Sequence, residues 1–194
     1  ALGRLFEAQA LYIKAKFYDE KALAFAEDDL LKEQMRMALE RVEEPAAIDG
    51  AKTYLHYGKY EDAIAAIQSL DSKYTEPAQC AHILGMAYYG LRDMDKAIAF
   101  LEDAASHGDD GEIENDLAIA LAAAGREEEA LDALSSLLDK ENDNRTALMN
   151  RGILYYREEK FSEALNDFEK AYRLASDPDL WALIEQTREL AERA

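Results

Sequence analysis

Gly58-Lys-Tyr-Glu-Asp-Ala63-Ile, Arg92-Asp-Met-Asp-Lys-Ala97-Ile, Gly125-Arg-Glu-Glu-Glu-Ala130-Leu and Glu159-Lys-Phe-Ser-Glu-Ala164-Leu are one short phrase written four times. Its alanines stand 34, 33 and 34 residues apart. A fixed period of that size is the sequence signature of stacked helical repeats. Ile67, Leu101, Leu134 and Phe168 follow each alanine by four positions, and Leu70, Ala104, Leu137 and Ala171 by seven. That spacing lies along one face of a helix, so a second helix begins at each phrase. Twelve residues before each alanine stands a small residue, Ala51, Gly85, Ala118 or Gly152; three beyond it comes Tyr54, Tyr88, Leu121 or Tyr155. The small residue lets a preceding helix approach closely, and the large one fills the space beside it. The chain is therefore expected to be all-α and built of helix pairs.

Leu84-Gly85, Tyr88, Ala97 and Leu101 resemble the tetratricopeptide repeat, and so do Gly152, Tyr155, Ala164 and Phe168. That family's unit is a helix-turn-helix of about 34 residues with Leu-Gly, Tyr, Ala, Phe and Pro at set offsets. Its early tryptophan is replaced by Ala47, Ala81, Glu114 and Leu148. Its late proline is replaced by Thr75, Asp109, Asn142 and Ser176, with Pro77 and Pro178 two residues further on. The resemblance implies a right-handed superhelical solenoid of antiparallel helix pairs, about 11 helices in a single domain. It would comprise an atypical pair over 1–44, repeats over 44–77, 78–110, 111–144 and 145–178, and a capping helix over 179–194.

Net charge is −19, from 22 basic and 41 acidic residues in 194. A phosphate backbone repels such a surface, so nucleic acid is not an expected partner, and anionic membranes are disfavoured for the same reason. An acidic exterior keeps a scaffold soluble and can also steer a basic partner. Hydrophobic residues make up 49%, enough for a continuous core along a stack. One cysteine, Cys80, excludes an internal disulfide. No apolar run approaches the ~20 residues of a membrane helix, so no membrane insertion is expected. The cytoplasm is the default compartment, with export or a periplasmic location left open. Ala1 opens the chain without a methionine and Leu5-Phe6-Glu7-Ala8 already reads as helix, which suits a piece or a processed form of a longer protein.

Helices are expected over 3–16 and from Asp19 onward, the second either unbroken to Pro45 or interrupted at Glu27-Asp28-Asp29. Regular pairs follow near 45–57 with 61–71, 77–90 with 94–106, 111–123 with 127–139, and 144–157 with 161–174. A last helix near 179–192 would turn Trp181, Leu183, Ile184 and Leu190 onto the final pair, and Glu185, Arg188, Glu189, Glu192 and Arg193 to solvent.

No catalytic constellation is expected. His56, His82 and His107 have no ligand spacing, and Cys80 and His82, two apart, point to different sides of a helix. Asp109-Asp110-Gly111-Glu112 lacks the alternating ligands of a calcium loop and reads as a turn that caps the next helix. Asn144-Arg145-Thr146 fits a glycosylation triplet and equally a helix cap. Neither a glycine-rich phosphate loop nor a nucleophile elbow is present. The chain is expected to be a non-enzyme without cofactor or metal.

In tetratricopeptide repeats the first helices line a concave surface. The resemblance implies a partner-binding groove here, and the family's inward-facing offsets give its residues. These are Asp49, Lys52 and His56; Gln79, His82, Met86 and Tyr89; Asn115, Asp116 and Ile119; and Met149, Asn150, Ile153, Tyr156 and Arg157. Met86, Ile119 and Ile153 can equally pack between neighbouring units. A helix turns ~100° per residue, so Tyr88 and Tyr155 are assigned to the core and Tyr89 and Tyr156 to the groove. Asn150-Arg151-Gly152 resembles the middle element of the subgroup that clamps acidic chaperone tails. Its other elements are missing: Asn115, Ile119, Leu180 and Glu185 stand where Lys, Asn, Lys and Arg belong. The expected function is a protein-interaction scaffold holding a peptide or helix of a partner, basic or apolar in character. A regulatory or targeting module of a larger enzyme or secretion component is the alternative, and self-association through the atypical first unit a third.

Overall fold

At the head of each phrase the backbone passes through one left-handed residue: Gly58 (φ 68°), Arg92 (φ 62°), Gly125 (φ 81°) and Glu159 (φ 61°). The next amide, of Lys59, Asp93, Arg126 or Lys160, donates back to the carbonyl of Tyr54, Tyr88, Leu121 or Tyr155 at 2.9–3.0 Å. The left-handed residue's own amide donates three residues back, to Leu55, Tyr89, Ala122 or Tyr156. This pair of bonds satisfies the last carbonyls of a helix and stops it. The repeat is therefore written in the backbone as well as in the side chains.

The computed structural model describes residues 11–70 and 76–193. Among them are ten helices and no strand: α1 Tyr12–Phe25, α2 Asp29–His56, α3 Tyr60–Gln68, α4 Pro77–Gly90, α5 Met94–Ser106, α6 Gly111–Ala123, α7 Glu127–Lys140, α8 Arg145–Arg157, α9 Phe161–Leu174 and α10 Pro178–Ala191. None is long and apolar enough to cross a membrane. The chain divides after Asp93 into two compact units. In the first, α1 packs on α2, α2 on α3 and α4, and α3 on α4. In the second, each helix from α5 to α10 packs on the next, and α6 also touches α8.

The repeat positions form the core. Ala63, Ala97, Ala130 and Ala164 are fully buried, and so are Ile67, Leu101, Phe168, Ala104 and Ala171. Leu70 is only half-buried. A Cβ on Gly152 would lie 2.6 Å from the Phe168 ring, so α8 and α9 approach as closely as they do because the small residue is glycine. The large residue three positions on behaves differently from expectation. Leu121 is buried, but Tyr88 and Tyr155 are half-buried and Tyr54 is exposed. At these positions the constant feature is the backbone carbonyl that closes the helix.

Helix starts follow side-chain chemistry. Asp28, Asp110, Asn144 and Asp177 each precede a helix and accept hydrogen bonds from its first amides. The acidic turn at Asp109–Glu112 is thus a cap, and Asn144 of the Asn-Arg-Thr triplet caps α8 by accepting from the Ala147 amide at 3.0 Å.

Both ends depart from the expected boundaries. Residues 1–10, which open the expected helix over 3–16, lie outside the described residues, as do 71–75 with Thr75. The helix does not stop at 16 or restart at Asp19: α1 runs through to Phe25, and Asp19 is buried within it. Nothing in Lys16-Phe17-Tyr18-Asp19 breaks a helix, whereas Asp28 starts a new one by accepting from the Leu30 and Leu31 amides at 2.7 and 3.1 Å. Residues 19–43 are therefore in two helices. No boundary falls at Pro45 either: α2 runs 28 residues with Pro45 inside it. The buried stripe Ala38, Val42, Ala46 and Ala51 continues through the proline, which removes one backbone donor without ending the helix.

At the other end, α10 covers α9 as expected, with Ile184 buried as expected but joined by Leu180 and Thr187. Trp181 lies 47% exposed, its ring 5.3 Å from that of Tyr172. Leu183 and Leu190 are half-buried. The burying stripe has the spacing i, i+4, i+7, one position round from the tryptophan. Arg188 does not simply face solvent, since it pairs with Glu169 at 2.8 Å and with Glu185.

Candidate functional site

In the second unit, α6, α8 and α10 lie side by side, joined by two polar bridges. Asn150 Nδ2 donates to Asn115 Oδ1 at 2.8 Å, and Gln186 Nε2 donates to the Tyr156 hydroxyl at 3.0 Å. Asn115 is buried and Asn150 half-buried. Met149, Ile153 and Tyr156 follow the spacing i, i+4, i+7 along α8 and so share a face. Ile153 is 41% exposed at the middle of that stripe. Met149 and Tyr156 are half-buried, as are Asp116 and Ile119 on α6. The Tyr156 ring meets Phe161 edge-on at 5.5 Å, which fixes the tyrosine at the end of α8. Arg157 turns to the start of α7, where its Nη2 lies 2.5 Å from Glu127 Oε1.

Arg151, between two face residues, points the other way. Its Nε and Nη2 donate to the buried Asp167 carboxylate at 2.7 and 2.9 Å, and its Nη1 to Ser135 Oγ at 3.2 Å. Hydrogen bonding to Asp167 raises the guanidinium's pKa further, against the opposing effect of burial. Arg151 therefore ties α8 to α9 and α7, and Asn150-Arg151-Gly152 divides into a face residue, an internal brace and a close-packing glycine.

In the first unit, His82, Met86 and Tyr89 repeat the spacing i, i+4, i+7 on α4, and all three are half-buried. Lys52 of α2 donates to Gln79 Oε1 of α4 at 3.1 Å. Asp49 is half-buried. His56 is exposed at the end of α2, its ring edge-on to Tyr57 at 5.1 Å. Cys80 is buried behind this face, and burial together with Glu44 and Glu76 pushes its thiol up to about 11.

The expected division of adjacent tyrosines into core and face is not seen: Tyr88, Tyr89, Tyr155 and Tyr156 are all half-buried. The family offsets, carried into α10, select Leu180 and Glu185 rather than Gln186. It stands 34 residues after Gly152, the close-packing position, so the period does not mark it as a face residue.

Sequence models of the tetratricopeptide repeat match residues 78–106 and 115–179. Over these residues the chain is built of tetratricopeptide repeats. No curated protein sequence matches it. Three solved structures share the fold at low identity. One is YrrB, described as a TPR protein with an unusual peptide-binding site, at 18% identity and TM-score 0.65, covering 95% of this chain and 88% of that one. Another is MamA, at 19% identity and TM-score 0.64, covering 90% and 94%. The third is TTC0263, a thermophilic TPR protein of Thermus thermophilus, at 21% identity and TM-score 0.63, covering 96% and 95%. In this tetratricopeptide repeat protein the longer match spans most of α6 and all of α7 to α9, the elements that carry the Asn115–Asn150 bridge.

Proposed function

We propose that this tetratricopeptide repeat protein is a non-enzymatic interaction scaffold that holds a peptide or helix of another protein against its first helices. The observation that carries the proposal is the α8 stripe, with Ile153 exposed between Met149 and Tyr156 and bordered by the Asn115–Asn150 pair. An apolar side chain of the partner would lie on Ile153 and Tyr156. A partly exposed tyrosine supplies contact area at low entropic cost. The bridge uses one donor of Asn150 and one acceptor of Asn115, so the Asn150 carbonyl oxygen can receive a backbone amide from the ligand. His82, Met86 and Tyr89 are proposed to offer a second such stripe in the first unit. The partner would be apolar with basic flanks, because residues 94–194 carry 25 acidic against 11 basic side chains. The peptide-binding site named for YrrB agrees with this class of function.

Peptides selected from a random displayed library against the whole chain provide the probe. Ile153→Asp and Tyr156→Ala should each weaken their binding by more than tenfold, about 1.4 kcal/mol, with melting unchanged in the first and lowered in the second by loss of the Phe161 and Gln186 contacts. Undiminished affinity in both variants would refute the assignment of the α8 stripe.

A further inference from the structure

Large apolar side chains are most exposed at the N-terminal hairpin of α1 and α2. Phe25 is 82% exposed, Leu30 69% and Met37 55%. Leu11, Tyr18 and Phe25 stand seven residues apart along α1 and the residue that precedes it, and Leu30 and Met37 seven apart along α2. Residues at that interval lie in one stripe of a helix. These stripes are not the hairpin's own core, which is formed by Ala15 and Asp19 of α1 with Ala38 and Val42 of α2. One edge of the hairpin is a polar cleft lined by Lys16, Glu20, Arg36, Leu39, Glu40 and Glu43. Tyr18 and Phe25 lie roughly opposite Lys16 and Glu20 round α1 at ~100° per residue, and Leu30 and Met37 lie about a third of a turn from the cleft residues of α2. The other edge therefore carries both stripes, with Phe25 and Leu30 on either side of the turn at Asp28.

We infer that this edge is an interface between two copies of the chain. The hairpin of one copy would cover the hairpin of the other about a two-fold axis. Size supports it: the exposed parts of Leu11, Phe25, Leu30 and Met37 amount to on the order of 500 Å² of apolar surface, as large as the biggest patch on an ordinary monomer. That is more than half of the ~800 Å² that one partner gives to a standard interface. Charge selects the occupant. At ~100° per residue the charges flanking the stripes are Lys14 and Lys21 on α1, and Glu33 and Glu44 with Arg41 on α2. A two-fold contact lays α1 of one copy across α2 of the other and so matches opposite signs twice. A partner of a single charge sign would match one helix and oppose the other.

Sedimentation velocity over a wide concentration range tests this on the whole chain. The wild type should show a reversible monomer–dimer equilibrium. Phe25→Glu with Met37→Glu should raise the dissociation constant at least tenfold while leaving helicity and melting intact, since both side chains are exposed. Peroxide oxidation of Met37 should be slow in the dimer and speed up on dilution. A dimer that survives the double substitution would overturn the inference by placing the interface elsewhere. A wild type monomeric at every concentration would also overturn it. Slow Met37 oxidation in that monomer would assign the edge to residues 1–10 of the same chain, and fast oxidation would assign it to a foreign partner.

Discussion

Replacing Glu159 by glycine should stabilise the protein, and replacing Gly125 by alanine should destabilise it by a similar amount. Both positions hold left-handed backbone, with φ of 61° and 81°. For a residue with a Cβ that conformation costs ~1–2 kcal/mol. Glycine escapes this cost but loses ~0.5–1 kcal/mol more backbone entropy on folding. The difference is about 1 kcal/mol in favour of glycine at each site. Side-chain contacts do not confuse the comparison. Glu159 is exposed, and a Cβ on Gly125 would meet nothing within 4 Å. Arg92→Gly should act like Glu159→Gly, and Gly58→Ala like Gly125→Ala. Thermal melts followed by circular dichroism should move by about 2–4 °C for each kcal/mol, upward for the two glycine variants and downward for the two alanine variants. If Glu159→Gly lowers the melting point, or all four variants melt with the wild type, the left-handed turn is not the device that ends these helices.

Other consequences can be checked by the same means. Arg151→Met leaves the Asp167 carboxylate buried and unpaired and should cost ~3–5 kcal/mol in a urea titration; adding Asp167→Leu should recover most of it. Leu180→Ala and Ile184→Ala should each cost ~2–5 kcal/mol, because both side chains are buried against the last repeat. Trp181→Ala should cost only about 1 kcal/mol, the worth of its contact with Tyr172. Cys80 should resist alkylation in the native chain until pH nears about 11 and react readily in urea at ordinary alkaline pH. Its raised folded value also sets a sign for stability. Between the ordinary thiol range and about 11 the unfolded chain ionises this group and the folded chain does not, so stability should fall as pH rises there and be unaffected by Cys80 below it.

Four phrases in register made the repeat legible in the sequence, because every copy of the alanine and nearly every apolar position after it is buried. The left-handed turns were not legible in the sequence: glycine stands at only two of the four positions, and Arg92 and Glu159 give no sign of them. The N-terminal helices were harder to place. Apolar periodicity runs on through Pro45, and a proline inside a continuously buried stripe does not end a helix whose neighbours hold it. At the other end, Trp181 attracted assignment to the core by its size, while the i, i+4, i+7 stripe at Leu180, Ile184 and Thr187 set the packing. The first-helix face is proposed from family offsets, which name Asn115, Asn150, Ile153 and Tyr156 but not Gln186. The internal brace at Arg151 was missed because a charged residue on a mostly apolar helix gives no hint of its partner sixteen residues away.

The central claim is that the face built by α6 and α8 binds a peptide with apolar and basic residues. Methyl-labelled isoleucines report on it directly. In a nuclear magnetic resonance titration with library-selected peptides, Ile119 and Ile153 should shift on binding, while Ile98 of α5 and Ile184 of α10, both buried, should stay in place. The selected sequences should be rich in lysine or arginine around a large apolar residue. Selection of acidic peptides, or perturbation that leaves Ile119 and Ile153 untouched, would contradict the claim.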